Sequence, residues 1–228
     1  MRNLLTDNDV NEVIRLLEDC YPKPECALEY YKDYELLFAT RLAAQCTDER
    51  VNTVTPVLYG KYPTLDMLAG ADIADIEDII HSCGFFRAKA RDISAASAML
   101  VSNFGGRVPD TMEELLTLPG VGRKTANLIL GDVHNKPAVV VDTHCIRLSN
   151  RIGFVDTKDP LKIEKALQAA LPPEKSSDFC HRLVLHGREV CRARKPACRQ
   201  CCIARICRTG RAEAQSAAGH DAEIVKSQ

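Results

Sequence analysis

The sequence predicts an all-α fold on three observations. Apolar residues recur at three- and four-residue spacing along most of the chain, strand-like alternation is nearly absent, and Pro or Gly breaks cut the pattern into helix-sized pieces. The periodic segments run Asn8 to Cys20, Tyr34 to Ala44, Asp48 to Tyr59, Asp72 to His81 and Ala88 to Asn103, and continue to Gly187. Breaks at Tyr62-Pro63, Gly105-Gly106, Val108-Pro109-Asp110, Asn135-Lys136-Pro137 and Pro172-Pro173 separate about ten helices. Ala138 to Val141 is the one β-flavoured run, too short and isolated to build a sheet. Thr209 to Gln228, rich in Ala, Ser, Gly and charge without apolar periodicity, is expected to be a mobile tail. No solenoid-type repeat is visible.

With 228 residues, 46% of them hydrophobic, the chain can bury the core of one large domain or two small ones. Lys plus Arg number 30 and Asp plus Glu 31, so net charge gives no sign of a polyanionic partner. The local pattern does. Arg182 to Arg211 holds nine Lys or Arg and a single acid, Glu189, while acids collect elsewhere, as at Asp72, Asp75, Glu77 and Asp78. The first ten residues lack the basic start and apolar run of a secretory signal, and no stretch reaches the roughly 20 apolar residues of a membrane span. A cytoplasmic protein with no membrane partner is the expectation. Eleven Cys is an odd number, and Cys20, Cys26, Cys46, Cys83, Cys145 and Cys180 show no pairing pattern. Most of them are expected to be small core residues.

The string Leu115 to Asn127, LLTLPGVGRKTAN, reads as a helix end, a tight Gly turn and a new helix running to Gly131. Gly120 and Gly122 let the backbone reverse and approach a ligand, and the new helix offers unpaired N–H groups and positive dipole potential. Such a hairpin suits one phosphate and positions without reading sequence. Lys124 in its first turn reads as a phosphate contact or as an amine nucleophile. Asp142, ahead of the helical segment Thr143 to Ile152, stands where an N-cap belongs.

Cys191, Cys198, Cys201 and Cys207 are spaced C-x6-C-x2-C-x5-C. Four thiolates from so short a stretch can hold zinc or a cubane iron–sulfur cluster; zinc is the commoner answer, but usually through two C-x2-C pairs, and here there is one. Arg192, Arg194, Lys195 and Arg199 lie between these cysteines, as a phosphate-binding knob or a solvated charge run.

From Asp33 to Cys207 the chain resembles the helix-hairpin-helix glycosylases, and within them the endonuclease III family. The resemblance runs through Leu42-Ala43-Ala44-Gln45-Cys46-Thr47-Asp48, the hairpin, Val141-Asp142-Thr143-His144 and the cysteine group, in the family's order. It implies two helical lobes, residues 26–133 with the hairpin and residues 1–25 plus 134–208 with a C-terminal [4Fe–4S] loop on the four cysteines; residues 209–228 form the tail. It implies Lys124 as the nucleophile, with a pKa depressed by the helix dipole and lost solvent, facing Asp142 across a groove. Asp142 would help deprotonate the lysine and stabilise charge on the sugar.

Gln45 and Phe85 match the family's gap-filling residues, which occupy the space a flipped nucleotide leaves. Leu118, Gly120, Gly122, Arg123, His144, Arg192, Arg194 and Lys195 match its DNA contacts. The activity implied is a bifunctional glycosylase and abasic-site lyase on double-stranded DNA with damaged pyrimidines or abasic sites, by a nucleoid-associated monomer. Phe85-Phe86-Arg87 replaces the usual Leu-Tyr-Asn, Ala43 a common Ser, and Arg41 a common apolar residue, which touches the wedge and the approach to the pocket. Cys202 has no assigned role. The alternatives are a monofunctional glycosylase working through Asp142 and water, and a non-enzymatic iron–sulfur DNA-binding sensor.

Overall fold

The computed structural model of the chain describes residues 5–216, and among these every regular element is a helix. The elements are α1 (Asp7–Cys20), α2 (Asp33–Ala43), α3 (Asp48–Lys61), α4 (Leu65–Ala69), α5 (Ile73–Ile80), α6 (Phe86–Phe104), α7 (Met112–Leu115), α8 (Arg123–Asp132), α9 (Thr143–Ile152), α10 (Pro160–Ala170) and α11 (Ser176–Glu189), followed by a helix over 208–216, α12. They fall into two compact units: Cys26–Lys136, and a second made by the chain through Glu25 together with the chain from Pro137 onward.

In the unit Cys26–Lys136, α2 is apolar nearly all round and is correspondingly buried, with Leu36, Leu37, Phe38, Ala39 and Leu42 at most 2% exposed. It packs against α3, α6 and α8. The buried Glu35 carboxylate accepts from the N–H groups of Tyr31 at 2.9 Å and Lys32 at 3.3 Å, which fixes the start of α2. The other end is fixed by Lys89 of α6: fully buried, it donates from Nζ to the Leu42 carbonyl at 2.8 Å. A cation on one of the helix's orphan carbonyls satisfies it and favours the dipole.

In the other unit, α1 begins with a reciprocal capping box: Thr6 Oγ1 accepts from Asp9 N at 3.1 Å and Asp9 Oδ2 from Thr6 N at 3.0 Å. Its face of Val10, Val13, Ile14 and Leu17 is buried, and α1 packs on α11. Emptying one such site, as in Leu17→Ala, costs about 2–5 kcal/mol. The run Ala138 to Val140 is buried but forms no strand; Ser176 Oγ accepts from Ala138 N at 3.1 Å instead.

Two expectations change. Residues 209–216, expected in a mobile tail, are helical and tied down: Arg208 Nη2 donates to Asn150 O at 2.6 Å, Thr209 Oγ1 to Arg151 O at 3.1 Å, and Arg211 Nη2 reaches Asp9 at 3.5 Å. Polar anchoring replaces the apolar periodicity that was missing. The rest of the expected tail, residues 217–228, lies outside the described residues. Nor are most of the scattered cysteines core residues: Cys20 is exposed, and Cys26 and Cys46 are half-buried. The thiols of Cys46 and Cys83, of Cys145 and Cys180, and of Cys20 and Cys202 come within interaction range, pairs too far apart in sequence to show as a spacing.

Candidate nucleic-acid interface and cysteine centre

The hairpin forms as its residues require. Leu118 N donates to Leu115 O and Val121 N to Leu118 O, closing the turn, and Gly120 adopts φ +74°. A Cβ at Gly120 would stand 2.8 Å from Arg41 Nε and 2.9 Å from Asp92 Cβ. Arg41 holds Asp92 Oδ2 through Nε at 2.7 Å and Nη2 at 2.6 Å. Arg41, expected at the approach to the pocket, is therefore part of an ion pair packed under the turn. Gly122 caps α8 without a side chain, so no side-chain acceptor competes with a ligand at that helix start.

Arg123 and Lys124 are exposed in the first turn of α8. The loss of solvent expected for Lys124 is thus absent in the chain alone. Leu118 is 2% exposed, so its side chain belongs to the core and only its backbone can face a ligand.

Asp142 is the N-cap of α9, with Oδ1 accepting from Cys145 N at 2.7 Å, which leaves its second oxygen for other chemistry. His144, two residues on, accepts at Nδ1 from Arg147 Nη2 at 3.1 Å. A Cβ at Gly187 of α11 would lie 2.5 Å from that Nδ1, so the glycine lets α9 and α11 approach closely.

Gln45 and Phe85 share a backbone feature the sequence did not disclose. Gln45 has φ 55° and Phe85 φ 58°, in the left-handed region that side chains rarely adopt, and both are exposed, Phe85 by 68%. The other non-glycine residues there are Lys195 (φ 54°) and Asn135 (φ 52°). Strain of about 1–3 kcal/mol per residue persists where a projection is wanted. Phe85 and Phe86 divide the two roles open to them. Phe86 packs against His81, ring centroids 4.7 Å apart, with the Arg87 guanidinium 5.3 Å over its ring, while Phe85 projects.

Cys191, Cys198, Cys201 and Cys207 line one small cavity whose remaining walls include Leu148, Ile152, Val190 and Ile203. Burial pushes the Cys201 thiol up to about 11 and those of Cys198 and Cys207 in the same direction, so a metal would have to displace protons. Among the described residues no group of three or more His, Cys, Asp or Glu is gathered to hold a metal ion. Four sulfurs set around one apolar space are a donor set for a thiolate-bound metal centre.

The loop's anchors were not singled out from sequence. Arg151 donates to Arg192 O at 2.7 Å, Ala193 O at 2.8 Å and Cys191 Sγ at 3.4 Å, and Cys207 Sγ donates to Arg151 O at 3.2 Å. Arg147 reaches Cys191 O at 3.1 Å. His186, 1% exposed, sets Nε2 3.3 Å from Cys201 Sγ and Nδ1 3.2 Å from the Tyr21 hydroxyl. Only the period of α9 hinted at this, since Arg147 and Arg151 lie four apart on one face. Arg192, Arg194, Lys195 and Arg199 are exposed and form no ion pair among the described residues. Their charge is uncommitted.

Comparison with known proteins matches this arrangement. The HhH-GPD superfamily of base excision DNA repair proteins matches residues 38–173. Endonuclease III of Synechocystis sp. is 48% identical over 202 residues, 88% of this chain and 92% of the relative. Endonuclease III of Bacillus subtilis is 40% identical over 84% of this chain and 88% of its own. The structure of a trapped endonuclease III–DNA covalent intermediate superposes with a TM-score of 0.86 at 38% identity, covering 92% of this chain and all of that one. On the hairpin, the cysteine loop and likeness along nearly its whole length, the chain belongs to the HhH-GPD superfamily of base excision DNA repair proteins and, within it, to the endonuclease III family.

Proposed function

We infer that the chain is a bifunctional DNA glycosylase and abasic-site lyase that removes oxidised pyrimidines in base excision repair. The observation that carries this is the near full-length likeness to endonuclease III, including its covalent DNA intermediate, with an exposed lysine on the first turn after the phosphate-binding hairpin. The Lys124 amine attacks C1′ of the damaged nucleotide; the C1′–N bond breaks, the base departs, and loss of the ring oxygen bond gives a Schiff base. Removal of a C2′ proton then expels the 3′ phosphate by β-elimination, nicking the strand, and water releases the sugar remnant. Asp142 accepts the proton that Lys124 must lose and stabilises positive charge on the sugar while its other oxygen keeps the cap.

The partner is double-stranded DNA carrying a damaged pyrimidine or an abasic site, bound by a single copy of the chain. The hairpin, Arg123, His144, Arg192, Arg194 and Lys195 hold phosphates, which positions without reading sequence. Gln45 and Phe85 fill the space left by the flipped nucleotide. Cys191, Cys198, Cys201 and Cys207 would hold a [4Fe–4S] cluster, which would brace the loop that carries the basic residues.

The test uses duplexes with one defined oxidised pyrimidine. Base release with strand nicking at that position, by protein holding about four irons per chain, is expected. Base release without nicking would instead support the monofunctional reading, and zinc without iron would overturn the cluster.

A further inference from the structure

The turns that carry Gln45 and Phe85 touch each other, and what joins them is a pair of thiols. A Cβ on Gly84 would lie 3.5 Å from Gln45 O, so the two backbones run in contact. Cys46 directly follows Gln45 and Cys83 precedes Phe85 by two residues, so the backbone contact brings the two thiols within interaction range of each other. Their exposure differs: Cys46 is half-buried and can meet a small solute, whereas Cys83 has no exposed surface. The buried Lys89 side chain lies within electrostatic reach of both thiols. Burial pushes the Cys83 thiol up to about 11 despite that cation, and an accessible thiol beside a buried partner is the arrangement of a sensing and a resolving cysteine. Nothing in the proposed excision chemistry uses either one.

We propose that Cys46 and Cys83 form a reversible redox site in which a hydroperoxide oxidises the pair to a disulfide, locking together the two turns that carry Gln45 and Phe85 and slowing excision. Cys46 sulfur attacks one peroxide oxygen; the O–O bond breaks, and Cys46 becomes a sulfenic acid as water leaves with the thiol proton. Cys83 sulfur then attacks Cys46 sulfur. The S–S bond forms, the S–O bond breaks, and the hydroxyl takes the Cys83 proton as a second water. Two thiols are oxidised and one peroxide is reduced. A disulfide S–S bond, about 2.05 Å, is far shorter than any contact between two thiols, so it draws together two strained turns whose side chains must enter the duplex. The effect on rate rests on the gap-filling reading of Gln45 and Phe85; the disulfide itself does not.

The test treats the full-length protein, iron content measured before and after, with limiting hydrogen peroxide. It then follows peptide masses without reductant and the excision rate on a single-lesion duplex. The expected results are a Cys46–Cys83 linked peptide, an excision rate at least about tenfold lower, since misplacement by 1 Å can cost on the order of 100-fold, and recovery with dithiothreitol. Cys46→Ser, and Cys83→Ala as a second variant, should keep their rate under the same treatment. Absence of the linked peptide, or equal slowing of wild type and Cys46→Ser at constant iron, overturns the proposal. Should reduced protein neither excise nor nick, the proposed function fails, while the peptide masses still decide the redox site.

Discussion

Asp142 asks two things of one carboxylate, and the two can be separated. Asn caps a helix about as well as Asp, so Asp142→Asn should leave unfolding within about 0.5 kcal/mol of the parent. It should nonetheless lose on the order of 100-fold in excision rate, because the charge facing the developing cation is gone. Full activity would reduce Asp142 to a cap. Lys89 gives a second residue-scale prediction. Burial lowers its pKa below the ordinary lysine value, outweighing the upward pull of Cys83 and Cys46. Between its folded and unfolded values the unfolded chain binds more protons, so stability rises with pH there. The cost of the charged amine is present below the folded value and lost as pH climbs through it. The stability of wild type relative to Lys89→Met should therefore increase from neutral pH to about pH 10; a difference that stays flat would contradict the buried-amine account. Lys124, Asp142 and the four cysteines were singled out through the family resemblance, since by residue type and spacing alone they read equally well as a phosphate contact, a helix cap and a zinc site. The left-handed backbone at Gln45 and Phe85 was not legible, since neither residue is one that favours it.

The longer helices were readable from their period, and one start from its cap, Asp142. Thr6, Thr47, Asp72, Asp142 and Asp159 each accept a backbone N–H at a helix start. The short α4 escaped because five residues are too few for a period, and α12 because its anchors are polar. The hairpin is the element on which most depends, and its sequence shows the two glycines but not what lies beneath them. Gly120→Ala would place a methyl group against Arg41 and Asp92 at a φ that alanine rarely adopts. It should destabilise the protein by about 1–3 kcal/mol and weaken binding of all duplexes alike. Thermal unfolding together with binding to damaged and undamaged DNA measures both effects, and unchanged values would mean the turn is not held from below.

At the scale of the whole molecule, balanced net charge conceals an electropositive end between Arg182 and Arg211. Composition alone missed it, the charge run disclosed it, and how Arg147 and Arg151 pin its backbone appeared only in three dimensions. Arg194→Ala with Lys195→Ala should reduce the slope of log binding constant against log salt by about 1.8, or about 0.9 for each phosphate no longer neutralised. An unchanged slope would return both residues to the solvated surface. The central claim, a lysine nucleophile in a bifunctional repair enzyme, is tested most directly by borohydride trapping on an abasic or oxidised-pyrimidine duplex, because only an amine gives a Schiff base that reduction makes permanent. Wild type should yield a stable protein–DNA adduct whose attachment maps to Lys124, and Lys124→Gln should bind abasic DNA yet give neither adduct nor nick. An adduct that survives Lys124→Gln, or nicking by wild type with no adduct at all, would contradict the account.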